Sequence, residues 1–492
     1  MSTLSDLLPS GAGGKNVSFT ASGSITQGDT VVLNSDGTVS VVAQATTAVS
    51  SPQTVESSNI MYSSFSQNVV YVPVGGYTVF FWTDSGGTNS YAAVGTNSGT
   101  TTYTMGATTT LADLMQMQVA VYDSATDRVI LAYEELGSGN QYGHAVVGEI
   151  TTPGGTPTIT FGTPTAFASS NTNQIDICME TSTNKLIVVW RNQGNGRFDS
   201  IVGDIVGGST NSVSFPSSYV QIKSTYPVNP QVAYNSQENK IGAFHVDSSS
   251  NTAYGNIGTL SGNTITWSAE ATVATQVTTE ASGSDFIYDP SSNLFFTLYA
   301  NYLNANVYYA TGEINSGLYS SLAYGTVSPL FNSNQQQIRA VYNAGYKNII
   351  LSAREATGGG VHYTNSTAMN ASTGIPTWES AWVDPGLSNQ YYTNLAVVSD
   401  ITKVVSFYID YSAPGYTAYG TTEFYTPSGT NVEKFTGIAD ATISGGSTGD
   451  ITLKGGIASK GLSGLTPNSV YYVADDGTIS TTSTGLRIGK AL

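Results

Sequence analysis

The chain has 492 residues and a formal net charge of −17, with 16 basic against 33 acidic side chains. That balance excludes a phosphate-tracking basic surface, so neither nucleic acid nor an anionic bilayer is expected as a partner. No run approaches the roughly 20 apolar residues of a membrane span, and the lone Cys178 forbids an internal disulfide.

Residues 1–15, MSTLSDLLPSGAGGK, read as a docking arm. They lack the basic start and apolar stretch of a signal peptide, so synthesis in a cytoplasm is expected. Residues 16–44 read as the first part of a small β base domain. There VVLNSDGTVSVV places an Asp-Gly turn between alternating apolar runs, which is a hairpin signal.

A strand-turn-strand unit then recurs across 45–434. Its anchors are Tyr71, Tyr122, Met179, Tyr234, Tyr288, Tyr342 and Val398, at intervals of 51, 57, 55, 54, 54 and 56. Each unit offers an apolar strand, a tight turn, a second apolar strand, a more polar third and an irregular fourth. Four short strands per period near 54 residues predict an all-β fold: a seven-bladed β-propeller inserted into a discontinuous β base domain. The seventh unit lacks a fourth strand, and TAVSSPQTV at 47–55 resembles that strand elsewhere. Residues of about 46–56 are therefore expected to supply the outer strand of the last blade. That would cover two open edges. Leu111–Met117 is the one helix-like stretch. Residues 435–492 read as the second part of the base domain, because VYYVADDGTIST parallels the first part's hairpin.

Chemistry is sparse. His144, His245 and His362 fall in repeat strands and read as structural. No CxxC, HExxH or GxSxG context occurs, and no cofactor or metal is expected. The turn DSATD at 123–127 reads as local backbone capping rather than a calcium cage. Glu134, Glu135, Glu355 and Asp410, near the second-to-third-strand loops, are the best carboxylates for a glycosidase, with Arg191 and Arg354 ending second strands. The same loops carry a recurring ring: Tyr91, Tyr142, Phe198, Tyr254, Tyr308, His362 and Tyr416. Rigid rings beside adaptable amides suit the recognition of a protein or a sugar face.

The terminal stretch GLSGLTPNSVYYVADDGTISTTSTGLRIGKAL (461–492) resembles a module at the ends of phage tail-fibre and virion-surface proteins. FTGIADATISGGSTGDITLKGG (435–456), FTASGSITQGDTVVLNSDGTVSVV and the MSTLSDLLPSG start extend the resemblance to structural proteins of marine tailed phages. Asn468 stands where that pattern has Gly. The resemblance implies a virion component, with the host cytoplasm as the place of synthesis and the virion as the place of work, and the sparse chemistry predicts no enzymatic activity. In that reading the base domain would bind other virion proteins and further copies of the chain. The propeller would display its ring-bearing loops to a host-surface glycan or protein. The alternatives are a passive capsid decoration protein and a propeller glycoside hydrolase acting on host envelope glycans.

Overall fold

The computed structural model describes residues 15–491 except for short stretches, the longest being 61–66, 328–334, 356–361, 379–389 and 411–418. Nearly all of the expected docking arm lies outside the described residues. Among those described there is no α-helix, and the strands pair antiparallel. The chain divides into two units, Met1–Ala48 with Thr426–Leu492, and Val49–Tyr425.

The unit made by the chain ends is stitched across the whole sequence. Asn16–Thr20 pairs with Thr448–Leu453, which pairs with Phe435–Ala439, which pairs with Thr30–Leu33. Alternation puts Val31, Val39, Ala439 and Ile451 on one buried face. Asp440 sits beside that seam and accepts from Asn16 Nδ2 at 2.7 Å and Thr452 Oγ1 at 2.8 Å. A second sheet pairs Val470–Val473 with Ile479–Ser480 and Leu486–Lys490.

The larger unit is β-propeller-like. Its sheets are numbered here by their inner strands: I, Gln67–Val72; II, Met115–Asp123; III, Thr172–Glu180; IV, Pro227–Asn235; V, Ser284–Asp289; VI, Gln335–Asn343; VII, Gln390–Val398. In each, the second and third strands follow outward in sequence order. In sheet VII the place beside the third strand, Tyr419–Thr426, is taken by Gln53–Glu56, with Thr54 opposite Thr421. Sheets pack face to face. Phe81 of sheet I meets Leu131 and Tyr133 of sheet II, while Ile130 and Ala132 on the opposite face meet Val188 and Trp190 of sheet III.

The turns after the inner strands explain the residues that recur there. Asp127, Asn184, Asn239 and Asn293 close their turns at φ of 56°, 56°, 54° and 60°, a region Asn and Asp tolerate. Asp123, Glu180, Asn235 and Asp289 open the turns and accept the N–H two residues on at 2.7–3.0 Å. The anchor hydroxyls of Tyr122, Tyr234 and Tyr288 donate to the closing residue at 2.9–3.0 Å. Tyrosine recurs because it ties the strand to its own turn.

Two sequence expectations need correction. Val397, not Val398, occupies the seventh anchor position, because it pairs with Val404 as Tyr342 pairs with Ile349. Leu111–Met117 is not a helical turn. Leu111 N donates to Ser90 O and Leu136 N to Leu114 O, so these groups bond to neighbouring strands rather than to each other.

Candidate functional site

The inner strands surround a cavity of about 370 Å³. Three residues before each anchor, the register brings Asn68, Val119, Asp176, Gln231, Asp285, Arg339 and Asn394 to equivalent positions. All seven line the cavity, and six of them are polar.

These side chains also bridge the sheets. Asn68 Nδ2 donates to Gln118 O at 3.1 Å, and Gln231 Nε2 to Ser284 O at 2.9 Å. Val232 N donates to Asp176 Oδ2 at 2.8 Å, and Ala340 N to Asp285 Oδ2 at 2.6 Å. Asn394 Nδ2 reaches Gln67 O at 3.0 Å. Val119, which has no polar group, stands where the link from sheet II to III would be.

At the entrance end of the inner strands the ladder is interrupted. Sheets II, III, IV, VI and VII each carry a register shift there. Met117, Gln174 and Asn229 take φ of 54°, 50° and 52° within it. Such bulges re-aim side chains and gather near functional sites. Here they help line the cavity with amides. Gln118 Oε1, Gln231 Oε1 and Ser284 Oγ have no hydrogen-bond partner among the described residues, although Gln118 and Ser284 are only 3% and 1% exposed. The cavity wall is therefore rich in unused acceptors, and a ligand that brings hydroxyl donors would satisfy it.

The electrostatics single out three residues. Burial pushes the Asp176 carboxyl up to about 7, and the Asp285 charge adds to this, while bonds from Val232 and Ile177 and the Arg339 charge oppose it. Burial also raises Asp285, opposed first by Arg339 and then by the Ala340 and Phe286 N–H groups. Arg339 is spent on neutral acceptors: Nη1 donates to Ile338 O at 2.8 Å and Nε to Asn394 Oδ1 at 3.4 Å. No ion pair within 4.0 Å joins it to either aspartate. The result is two raised carboxyls in one cavity, held by different partners: Asp176 by the Val232 and Ile177 N–H groups, and Asp285 by Arg339 and the Ala340 and Phe286 N–H groups.

The residues singled out from sequence lie elsewhere. Trp82–Tyr91, Tyr133–His144, His245–Tyr254 and Tyr299–Tyr308 are stacked cross-strand pairs at 5.9, 5.9, 5.6 and 5.7 Å. The recurring ring of the third strand is thus a packing partner of the second strand. In sheet II that partner is His144, and Tyr142 stands in the preceding loop. Phe198 needs correction as a surface ligand residue. It is fully buried against His245 and the apolar cluster between sheets III and IV. The His362 side chain and the whole of Tyr416 lie outside the described residues, as does the Glu355 side chain. Glu134 is buried, and burial pushes its carboxyl up to about 7. Glu135 lies 3.6 Å from His144 Nδ1. Glu134, Glu135, Asp410, Arg191 and Arg354 do not line the axial cavity. His245 is buried, and its pKa is lowered to about 3, first by desolvation and then by Lys223.

Sequence reasoning missed Asp176, Asp285 and Arg339, although all three stand in the repeated inner strands. The available signal was a charged residue at one fixed offset from the anchor.

No protein-family model and no curated protein matches the sequence. Solved structures of similar fold include the polysaccharide lyase Uly1, at 11% identity and a TM-score of 0.47, covering 83% of this chain and 100% of that one. They also include the NanB sialidase of Streptococcus pneumoniae, at 10% identity, a TM-score of 0.44, and 78% and 70% coverage. A leech intramolecular trans-sialidase aligns at 13% identity, a TM-score of 0.43, and 80% and 71% coverage. The expectation of a virion protein without chemistry, displaying its loops to a host, is corrected here. The solved structures of similar fold are a polysaccharide lyase, a sialidase and a trans-sialidase, and none of the three is a virion protein.

Proposed function

We propose that this protein is a carbohydrate-cleaving enzyme whose active site is the axial cavity. In this reading the fold is a seven-bladed β-propeller inserted into the β unit formed by the chain ends. The inner strands of sheets I and VII support that reading, because they lie against each other through the Asn394–Gln67 bond.

The observation that carries the function is the pair Asp176 and Asp285 lining one cavity with different carboxyl environments. Asp176, poised near 7, keeps its proton at mildly acidic to neutral pH and donates it to the leaving glycosidic oxygen as the bond to the anomeric carbon breaks. Asp285 receives two backbone N–H groups and feels Arg339, which oppose the burial that raises its carboxyl, and in its carboxylate form it stabilises the positive charge growing on that carbon. Water adds its hydroxide to the carbon, and its proton restores the carboxyl pair. The unpartnered oxygens of Gln118 and Gln231 accept sugar hydroxyls. The net charge of −17 disfavours polyanionic chains, so the substrate is a neutral glycan.

The test is reducing-sugar release from laminarin, xylan, arabinan, galactan and dextran by the full chain. Release from at least one polymer, falling by about 10²–10⁴-fold in Asp176→Asn, is expected of a lost general acid. Release from none of them, or unchanged release in the variant, overturns the reading.

A further inference from the structure

Sheet V carries a feature its neighbours lack. Its fourth strand, Leu318–Thr326, pairs with Val307–Asn315 along nine residues, broken by one register shift. In sheets II, III and IV the same place is split between two short strands. The long strand delivers Tyr324 to the surface at 79% exposure, the highest of the exposed large apolar side chains.

Tyr324 does not stand alone. It lies opposite Ala310, two residues along from Tyr308, so both rings belong to one face of the sheet. Tyr308 in turn stacks on Tyr299 at 5.7 Å and 19°. Along that face exposure rises from the 3% exposed Tyr299, through half-buried Tyr308, to the open Tyr324. Ser321 Oγ donates to Thr272 O at 2.8 Å, which pins the strand to sheet IV.

The surroundings of that face decide what could lie on it. In sheet IV the ring equivalent to Tyr308 is Tyr254, and Lys223 Nζ covers it at 5.0 Å, held by both Glu270 oxygens at 2.6 Å. In sheet III, Arg197 lies 5.9 Å from the Tyr219 ring. Sheet V supplies no such cation: from Leu303 to Ile338 the only charged residue is Glu313. A flat aromatic face in a neutral, hydroxyl-rich setting matches the apolar face and hydroxyl rim of a pyranose.

We infer that Tyr308 and Tyr324 form an accessory sugar-stacking site that binds a distal part of a neutral glycan. This rests on the proposed carbohydrate function and extends it. The fourth strand stands three strand spacings, about 14 Å, from the inner strand. The site would thus hold a polymer several sugars away from the axial carboxyls and favour long chains over short ones.

Affinity electrophoresis of the full chain in native gels containing laminarin, xylan, arabinan, galactan or dextran tests this. At least one polymer should retard the protein. Tyr324→Ala should weaken that retardation about tenfold, the loss expected of one aromatic contact. Tyr324→Trp should retain it. Because Tyr324 is exposed, its truncation leaves the core intact. Equal retardation of Tyr324→Ala and the parent chain overturns the inference, as does the absence of retardation by every polymer. Sugar release is scored separately. Release without Tyr324-dependent retardation sinks this site and leaves the axial reading standing. Tyr324-dependent retardation without release does the reverse.

Discussion

The side-chain amide of Asn394 donates to the main-chain oxygen of Gln67 at 3.0 Å, across 327 positions of sequence. It joins the last inner strand to the first, where no covalent link spans the sheets. Asn394→Ala leaves a buried carbonyl without that donor. It should cost about 1–3 kcal/mol in urea denaturation, with an unchanged m-value.

Asp176 should make the protein less stable as pH rises. Its carboxyl is raised from the usual 3.8 to about 7, so the folded state favours the protonated form. The resulting stabilisation is complete below about pH 4 and is lost as pH climbs through 7. Asp176→Asn should flatten the melting temperature across that window. An unaltered slope would mean that the carboxyl is solvated in the folded protein.

His245 should act in the opposite direction. Its pKa is lowered from 6.5 to about 3, so the folded state favours the neutral ring. The stability this gives is present above pH 6.5 and is lost as pH falls towards 3. His245→Phe keeps a ring against Phe198 and Tyr254 and should reduce acid sensitivity, measured as the denaturation midpoint at pH 4 relative to pH 7.

Gly242 sits where sheets IV and V meet. A Cβ there would stand 2.5 Å from the Phe295 ring, which is itself fully buried. Gly242→Ala should destabilise by about 1–3 kcal/mol through overpacking. Gly262→Ala makes a useful contrast. A Cβ there meets nothing within 4 Å, although its φ of +59° still penalises alanine.

The strands themselves were legible in the chain. Runs such as QVAVY and VILAY, broken by four-residue polar turns, could only pair as hairpins. The recurrence of Tyr before five of the seven turns has a local reason, shown at Tyr122, Tyr234 and Tyr288: a hydroxyl bond to the Asn or Asp that closes the turn. The axial site was much less legible. Asp176 in IDICM and Asp285 in DFIY lie on the anchor-bearing strand, which the apolar-to-polar decline across each unit marks as innermost, but sequence does not bring strands of different units round one cavity.

Sequence by itself determined an antiparallel all-β protein with little charge and tightly capped turns, since alternation and turn chemistry act over a few residues. Tertiary structure alone decided that Asp176, Asp285 and Arg339 share one cavity, and that the recurring third-strand rings are mostly packing partners. Proton affinity and exposure depend on what surrounds a side chain. For the axial aspartates the surroundings come from strands more than 50 residues away, and for the rings they come from the adjacent strand of the same sheet.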